Sequence, residues 1–273
     1  MRLTKNLRAI ILFLGLLLLG VAVYSMGKHP PSSTKSTTTN EHLIMATLWY
    51  QRAAEARALY YQAYNLARLR LQQTLNNTSI TKPLAVIVDI DETVLNNSPY
   101  EARLILQGGH FPQYWSEWIN QASAEALPGA LDFLHYADSM GVAIFYVTNR
   151  REQYLEATMA NLKLRGFPQV KRTHMYLRTN TSSKESRRQS IAQKYHIAVL
   201  IGDNLNDFAA IFEKQPTKRR NALVDSLRHE FGNRFIILPN PMYGEWEGAI
   251  YNYQWQIPEE QKAKLRKQAL HAF

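Results

Sequence analysis

The chain contains no cysteine. That absence excludes disulfides, thiolate metal sites and a cysteine nucleophile. It also leaves no thiol in this sequence to carry a lipid, so a lipoprotein is not expected. Lack of thiols suits an oxidising compartment. Acids are also missing from the leader, where Arg2, Lys5 and Arg8 stand without an opposing charge. These three residues contribute to a net charge of +10, and the rest is scattered, with local clusters at Lys184/Arg187/Arg188 and Lys218/Arg219/Arg220. Scattered charge attracts anionic substrates in general and does not form a nucleic-acid-binding stripe, so no nucleic-acid partner is expected. From Ala9 to Val23 there is no charge at all. This apolar run is short against the roughly 20 residues of a comfortable membrane span. Residues 1–26 therefore read as a secretory signal, with Val23 and Ser25 suited to a cleavage site, or as an uncleaved signal anchor. Either way the rest of the chain is expected outside the cytoplasm, periplasmic or otherwise extracytoplasmic. If the leader is retained, residues 9–26 tether it to the inner membrane.

The 273 residues are 46% hydrophobic and 20% charged, the balance of a globular protein with one sizeable domain. Residues 27–42 are rich in Ser, Thr and Pro and read as a linker. The domain is expected over 43–265. It opens with a long helix over about 43–75, free of Gly and Pro, which can serve a homodimer interface as easily as a cap. Continuous apolar runs follow at Leu84-Ala-Val-Ile-Val88, Val142-Ala-Ile-Phe-Tyr-Val147, Ile197-Ala-Val-Leu-Ile201 and Phe235-Ile-Ile-Leu238. Runs of this kind belong to parallel strands buried on both faces. Helical stretches separate them, with Gly141 and Gly166 as C-terminal stops. The alternation predicts a doubly wound, Rossmann-like α/β domain. The segment of about 96–126 is too long for a simple connection. Its aromatics, among them Trp115 and Trp118, predict a small helical cap, with Trp118 expected to pack into the core.

In an open parallel sheet the reactive groups collect beyond the carboxyl ends of the strands. After the first strand come Asp89 and Asp91, after the second Thr148-Asn149-Arg150, and after the third Gly202-Asp203-Asn204-Leu205-Asn206-Asp207. Lys184 joins them behind Thr181, Ser182 and Ser183, any of which could cap the helix it opens. Four carboxylates in one place repel each other unless a cation sits among them. Ligands that are all oxygen, with no His or Cys, point to a hard divalent ion, Mg²⁺ before Ca²⁺. Such an ion usually completes its shell with water and phosphate, which implies a phosphoryl substrate. Lys184, Thr148 and Asn149 would then serve the phosphate oxygens.

Asp89-x-Asp91-x-Thr93, Thr148, Lys184 and Gly202-Asp203-x-x-x-Asp207 resemble, in order, the four motifs of the haloacid dehalogenase superfamily. More narrowly, Ile87-Val-Asp-Ile-Asp-Glu-Thr-Val-Leu95 with Asn97-Ser-Pro-Tyr100, and Val199-Leu-Ile-Gly-Asp-Asn-Leu-Asn-Asp-Phe208, are similar to the paired signatures of class C bacterial acid phosphatases, the secreted 5′-nucleotidases of the four-aspartate group. The resemblance implies that Asp89 is the nucleophile and forms an aspartyl-phosphate, and that Asp91 is the general acid and base. It implies a metal held by Asp89, Asp203 and the backbone carbonyl of Asp91, with Asp207 orienting Lys184 or a water beside them. It implies also that Trp115 and Tyr243 stack a nucleoside base, an interaction that tolerates any base. A phosphatase for sugar phosphates or phosphoamino acids stands as the alternative, since it would have no use for the aromatic pair. A non-catalytic, membrane-tethered binding protein is a further alternative, which the intact Asp91 argues against.

Overall fold

Two apolar layers enclose a parallel sheet whose strands are hydrophobic on both sides. The structure, a computed structural model, describes residues 40–273. In chain order the strands are β1 (Leu84–Val88), β2 (Leu95–Asn96), β3 (Glu125–Ala126), β4 (Ala143–Arg151), β5 (Met175–Arg178), β6 (His196–Gly202) and β7 (Phe235–Ile237). Five of them form one sheet in the order β5-β4-β1-β6-β7, parallel throughout. From β1 the chain builds outward to β4 and β5, then returns to the other side of β1 for β6 and β7. That reversal opens a crevice beyond the carboxyl ends of β1, β4 and β6, the place where such sheets bind ligands.

Alternation along β1 shows how the layers are filled. Val86 and Val88 join one cluster, with Tyr60, Tyr64 and Leu71 of the helix Ala54–Leu75 and Phe133 and Leu134 of the helix Ala130–Ser139. Ala85 and Ile87 join the other, with Phe145, Phe208, Phe235 and Ile191 of the helix Glu185–Lys194. Helices on both faces of a parallel sheet bear out the doubly wound α/β expectation. Gly141 and Gly166 adopt φ of 70° and 81°, and their N–H groups close the preceding helices onto Asp138 and Lys163. Left-handed backbone of this kind is the usual C-terminal stop.

Two features differ from the sequence reading. The expected long helix of about 43–75 is interrupted at Ala53, whose ψ of 128° is extended, leaving helices Glu41–Arg52 and Ala54–Leu75. On one continuous helix Tyr50 and Tyr60 would stand about 15 Å apart along the axis. The break instead brings their rings edge to face at 6.0 Å and pairs their hydroxyls. The strand β5 has no continuous apolar run to betray it. It is a four-residue edge strand in which buried and half-buried residues alternate.

Between β1 and β4 the chain inserts the helices Ser98–Gln107 and Trp115–Gln121, closed at their base by the antiparallel pair Leu95↔Ala126 and Asn96↔Glu125. Trp118 packs against the core, as expected, and its indole N–H also donates to Asn97 Oδ1 at 2.8 Å. The signal or anchor over 1–26 and most of the linker lie outside the described residues. Among the described residues no helix is long and apolar enough to cross a membrane.

Candidate active site

The turn after β1 sets the site. The Asp89 N–H still donates to Ile201 of β6, at 3.0 Å, so its backbone stays in the sheet. The chain then reverses around the Ile90 carbonyl, which accepts from Thr93, Val94 and Leu95 at 2.9–3.3 Å. Two tyrosines of the Ala54–Leu75 helix fix the turn from outside, with Tyr60 donating to the Glu92 carbonyl at 2.6 Å and Tyr64 to the Thr93 carbonyl at 2.7 Å. Asp89 is consequently buried, with the Thr93 hydroxyl 3.5 Å from its Oδ2.

Lys184, immediately before its helix, is also buried and donates to both Asp89 and Asp207, the latter at 2.6 Å. Of the three residues expected to cap this helix, only Ser183 faces its first N–H, with Oγ 3.4 Å from Glu185 N. Asp207 lies in the tight turn after β6, where its Oδ2 accepts from Asn204 N at 3.0 Å. Asp203 accepts from the amide of Asn240 at 2.9 Å. Carboxylate oxygens of Asp89, Asp203 and Asp207 come within 4.8 Å of one another.

Burial dominates the electrostatics of this group. It pushes the Asp89 carboxyl up to about 7 against the opposing pull of Lys184, and the charges of Asp207 and Asp91 push the same way. Burial, then the charges of Asp207 and Asp89, lift Asp203 well above the ordinary carboxylate range. For Lys184, burial disfavours the ammonium, but Asp207 and Asp89 outweigh it and the net shift is upward. Three carboxylates thus share one ammonium in a desolvated pocket. A divalent cation fits that excess of negative charge, and donors that are all oxygen suit a hard ion.

Asp91 belongs to a second group beside the first. Its Oδ1 accepts from Arg150 Nε at 2.9 Å and Asn97 Nδ2 at 2.8 Å and is ion-paired with Arg150 Nη2 at 2.8 Å, while Oδ2 faces the Thr148 hydroxyl at 3.4 Å. The structure therefore joins Asp89, Asp203, Asp207 and Lys184 side chain to side chain, and sets the Asp91 carboxylate with Thr148. Asn149 is exposed, its amide oxygen accepting from Arg187 at 2.7 Å. Arg187 also donates to the Thr148 carbonyl at 2.6 Å and the Ser183 carbonyl at 3.0 Å, stitching together the two loops that present Thr148 and Lys184.

Trp115 opens the second inserted helix and packs edge-on against Tyr100 at 4.9 Å and Phe111 at 5.7 Å, with the Arg150 guanidinium 5.8 Å from its ring. Tyr243 follows β7, half-buried against the main core, and its hydroxyl is bonded to the Glu92 carboxylate. Sequence reasoning did not assign Arg150, Asn97, Glu92, Arg187 or Asn240. Arg150 and Asn97 sit inside the quoted motifs, so position alone marked them as worth testing.

The four motifs are thus gathered at one switch point of one sheet, and comparison with known proteins agrees. Residues 28–246 match the family described as HAD superfamily, subfamily IIIB (Acid phosphatase). The chain belongs to that family. It is also similar to the solved class C acid phosphatase of Bacillus anthracis, at 44% identity and a TM-score of 0.83, covering 85% of this chain and 98% of that one. A second structure of the Bacillus anthracis class C enzyme, with tungstate bound, matches at 45% identity, a TM-score of 0.82 and the same coverage. Among curated proteins, "Stem 31 kDa glycoprotein" of Glycine max is 31% identical over 58% of this chain, and "Acid phosphatase 1" of Solanum lycopersicum is 26% identical over 58%. These matches span only 58% and 57% of the two plant proteins. The family and the class C likeness bear out the resemblance seen in the sequence and support a phosphomonoesterase.

Proposed function

We propose that this chain is a Mg²⁺-dependent acid phosphatase that acts outside the cytoplasm on phosphomonoesters, with 5′-nucleotides as its preferred substrates. The observation that carries the proposal is the convergence of Asp89, Asp203, Asp207 and Lys184 in one buried pocket beside a separately held Asp91. A site that only bound phosphate would be weakened by so many acids. A site that transfers a phosphoryl group needs a carboxylate nucleophile and a second, protonated carboxyl group. The tungstate bound by the Bacillus anthracis relative is a tetrahedral oxyanion, which favours the same reading.

Asp89 attacks phosphorus in line, the bond to the leaving oxygen breaks, and Asp91 delivers its proton to that oxygen. The now ionised Asp91 takes a proton from water, the water attacks phosphorus, and the bond to Asp89 breaks to release inorganic phosphate. Lys184 and the Thr148 hydroxyl donate to the non-bridging oxygens, and Asn149 offers its amide at the rim. A Mg²⁺ ion held by Asp89, Asp203 and the Asp91 carbonyl would supply charge neutralisation and orientation of the phosphoryl group. Asp207, bonded to Lys184 and Asn204, keeps the ammonium in place. Trp115 and Tyr243 are the candidate walls for a nucleoside base, and the aromatic cluster of Trp115 with Tyr100 and Phe111 favours a nucleotide over a sugar phosphate.

Activity with Mg²⁺ should be measured on 5′-nucleotides, glucose phosphate and p-nitrophenyl phosphate for the wild type, Asp89→Asn and Trp115→Ala. Asp89→Asn is expected to lose roughly 10³-fold or more in kcat, the scale seen when a covalent nucleophile is removed. Retention of the wild-type rate would overturn the nucleophile assignment. Equal kcat/KM on AMP and glucose phosphate, unchanged by Trp115→Ala, would overturn the preference for nucleotides.

A further inference from the structure

We infer that Arg150, together with Asn97, is the positioning pair for Asp91, anchoring one carboxylate oxygen so that the other, Oδ2, is the atom that carries the proton. The inference rests on the reading of Asp91 as the acid and base.

Two N–H groups donate to Asp91 Oδ1, Arg150 Nε at 2.9 Å and Asn97 Nδ2 at 2.8 Å, and Arg150 Nη2 completes the ion pair 2.8 Å from the same oxygen. A carboxylate oxygen has two lone pairs, and with both N–H donors on Oδ1 and a guanidinium against it none is left for a proton. Among the described residues Oδ2 faces the Thr148 hydroxyl alone, at a long 3.4 Å. The anchoring groups are themselves immobilised. The Arg150 side chain is 1% exposed, against 19% for Asp91. Its Nη1 donates to Thr158 and its Nη2 to Asn97 Oδ1, both at 3.3 Å, and its face lies toward the Trp115 ring. Asn97 is fully buried, its N–H donating to Glu92 Oε1 at 2.6 Å and its Oδ1 accepting from Trp118 at 2.8 Å. A freely rotating carboxylate could present either oxygen and would lose rate whenever it turned away. Here the rotation is locked.

The chemistry follows from that lock. The proton on Oδ2 passes to the leaving oxygen as its bond to phosphorus breaks, with the bonding electrons staying on that oxygen. Oδ2 then accepts the proton of the water whose oxygen attacks the aspartyl-phosphate, and the electron pair of the breaking bond returns to Asp89. A lysine at 150 keeps a positive charge but lacks the planar fork that sets Nε on Asp91 Oδ1 while Nη2 holds Asn97 Oδ1.

The test compares p-nitrophenyl phosphate, whose leaving group needs little protonation, with a 5′-nucleotide, whose alcohol needs it fully. Arg150→Lys, Asn97→Ala, Asp91→Asn and the double variant Arg150→Lys/Asp91→Asn are assayed with Mg²⁺. Arg150→Lys and Asn97→Ala are expected to reduce kcat on the nucleotide by roughly 10²-fold, the usual size of general acid–base catalysis. The first turnover on the aryl ester should remain fast, giving a burst of about one nitrophenol per enzyme followed by slow hydrolysis of the aspartyl-phosphate. Asp91→Asn should show the same pattern, and the double variant should be no worse than Asp91→Asn alone. If Arg150→Lys fails to fold, Asn97→Ala carries the test. Loss that is equal on both substrates, without a burst, while Asp91→Asn shows the full pattern, overturns the positioning role and leaves Asp91 as acid and base. A wild-type ratio of kcat/KM on the two substrates in Asp91→Asn, with no burst, overturns that reading, and the inference with it.

Discussion

Gly202 is needed for the space it leaves rather than for its backbone freedom. A Cβ built on it would lie 2.3 Å from Asp207 Oδ2, 2.5 Å from its Cβ and 2.6 Å from its Cγ. Cβ and Cγ are not the far end of a flexible chain, so an alanine must displace Asp207 bodily. That breaks the bonds to Lys184 and Asn204 together and leaves the buried ammonium with Asp89 alone. Gly202→Ala is expected to cost about 1–3 kcal/mol, as overpacking does, and to lower kcat with Mg²⁺. Urea unfolding and a Mg²⁺ titration of activity check both parts, and wild-type values in both would contradict the argument. At this scale the sequence was informative wherever chemistry follows chain order. Asp89, Asp91, Asp203 and Asp207 could be found because each stands at a fixed offset beyond a strand end. The pairing of Asn97 and Arg150 on Asp91 could not. Asn97 and Arg150 lie 53 residues apart, and only the folded insertion brings them to the same oxygen.

The helices that precede the sheet act on the site as elements. Helix Ala54–Leu75 lies against the first face of the sheet and reaches the catalytic turn through two hydroxyls, Tyr60 to the Glu92 carbonyl and Tyr64 to the Thr93 carbonyl. Both carbonyls are in a turn whose Glu92 adopts a left-handed φ of 55°, a conformation that needs outside support in a non-glycine residue. Tyr64→Phe keeps the ring contact with Phe133 but leaves the Thr93 carbonyl without this donor, at an expected cost of about 1–3 kcal/mol. Denaturant unfolding of the variant measures it; a loss below a few tenths of a kcal/mol would mean the turn does not depend on the helix. The same elements show what the sequence could and could not reveal. Strands β1, β4 and β6 were legible because burial on both faces forces continuous apolar runs, and the edge strand β7 because Phe235-Ile-Ile-Leu238 is apolar throughout even though Ile237 is exposed. The interruption at Ala53 was not, because no Gly or Pro marks it and the pairing of Tyr50 with Tyr60 that accompanies it leaves no periodic signal. The edge strand β5 was missed because burial on one side only leaves a weak pattern in four residues.

Across the whole molecule, burial shifts Asp89, Glu92, Glu101, Asp203 and Glu247 in one direction, and that makes stability depend on pH and metal together. Burial raises Asp89 to about 7 and Glu101 to about 7, and lifts Asp203, Glu92 and Glu247 as well. In the unfolded chain these groups titrate near 4. Between about pH 4 and 7 the metal-free native state therefore holds protons that the unfolded state has released. Stability rises with pH only where the unfolded state binds more protons, so these five acids make it fall as pH rises over this window, while His42 and His174, held below the ordinary imidazole value by burial, work the other way. A divalent cation in the pocket keeps Asp89 and Asp203 ionised in the native state and removes their share of that fall, while Glu101 and Glu247 keep theirs. Because binding displaces protons, the cation is also held more tightly at higher pH. The metal-free protein is thus expected to melt at a lower temperature at pH 7.5 than at pH 5, and the increase on adding Mg²⁺ is expected to be larger at pH 7.5. Thermal unfolding with and without chelator at the two pH values measures both differences. An equal or larger metal effect at pH 5 would mean that the carboxylates of Asp89 and Asp203 are not where the cation exerts its stabilisation.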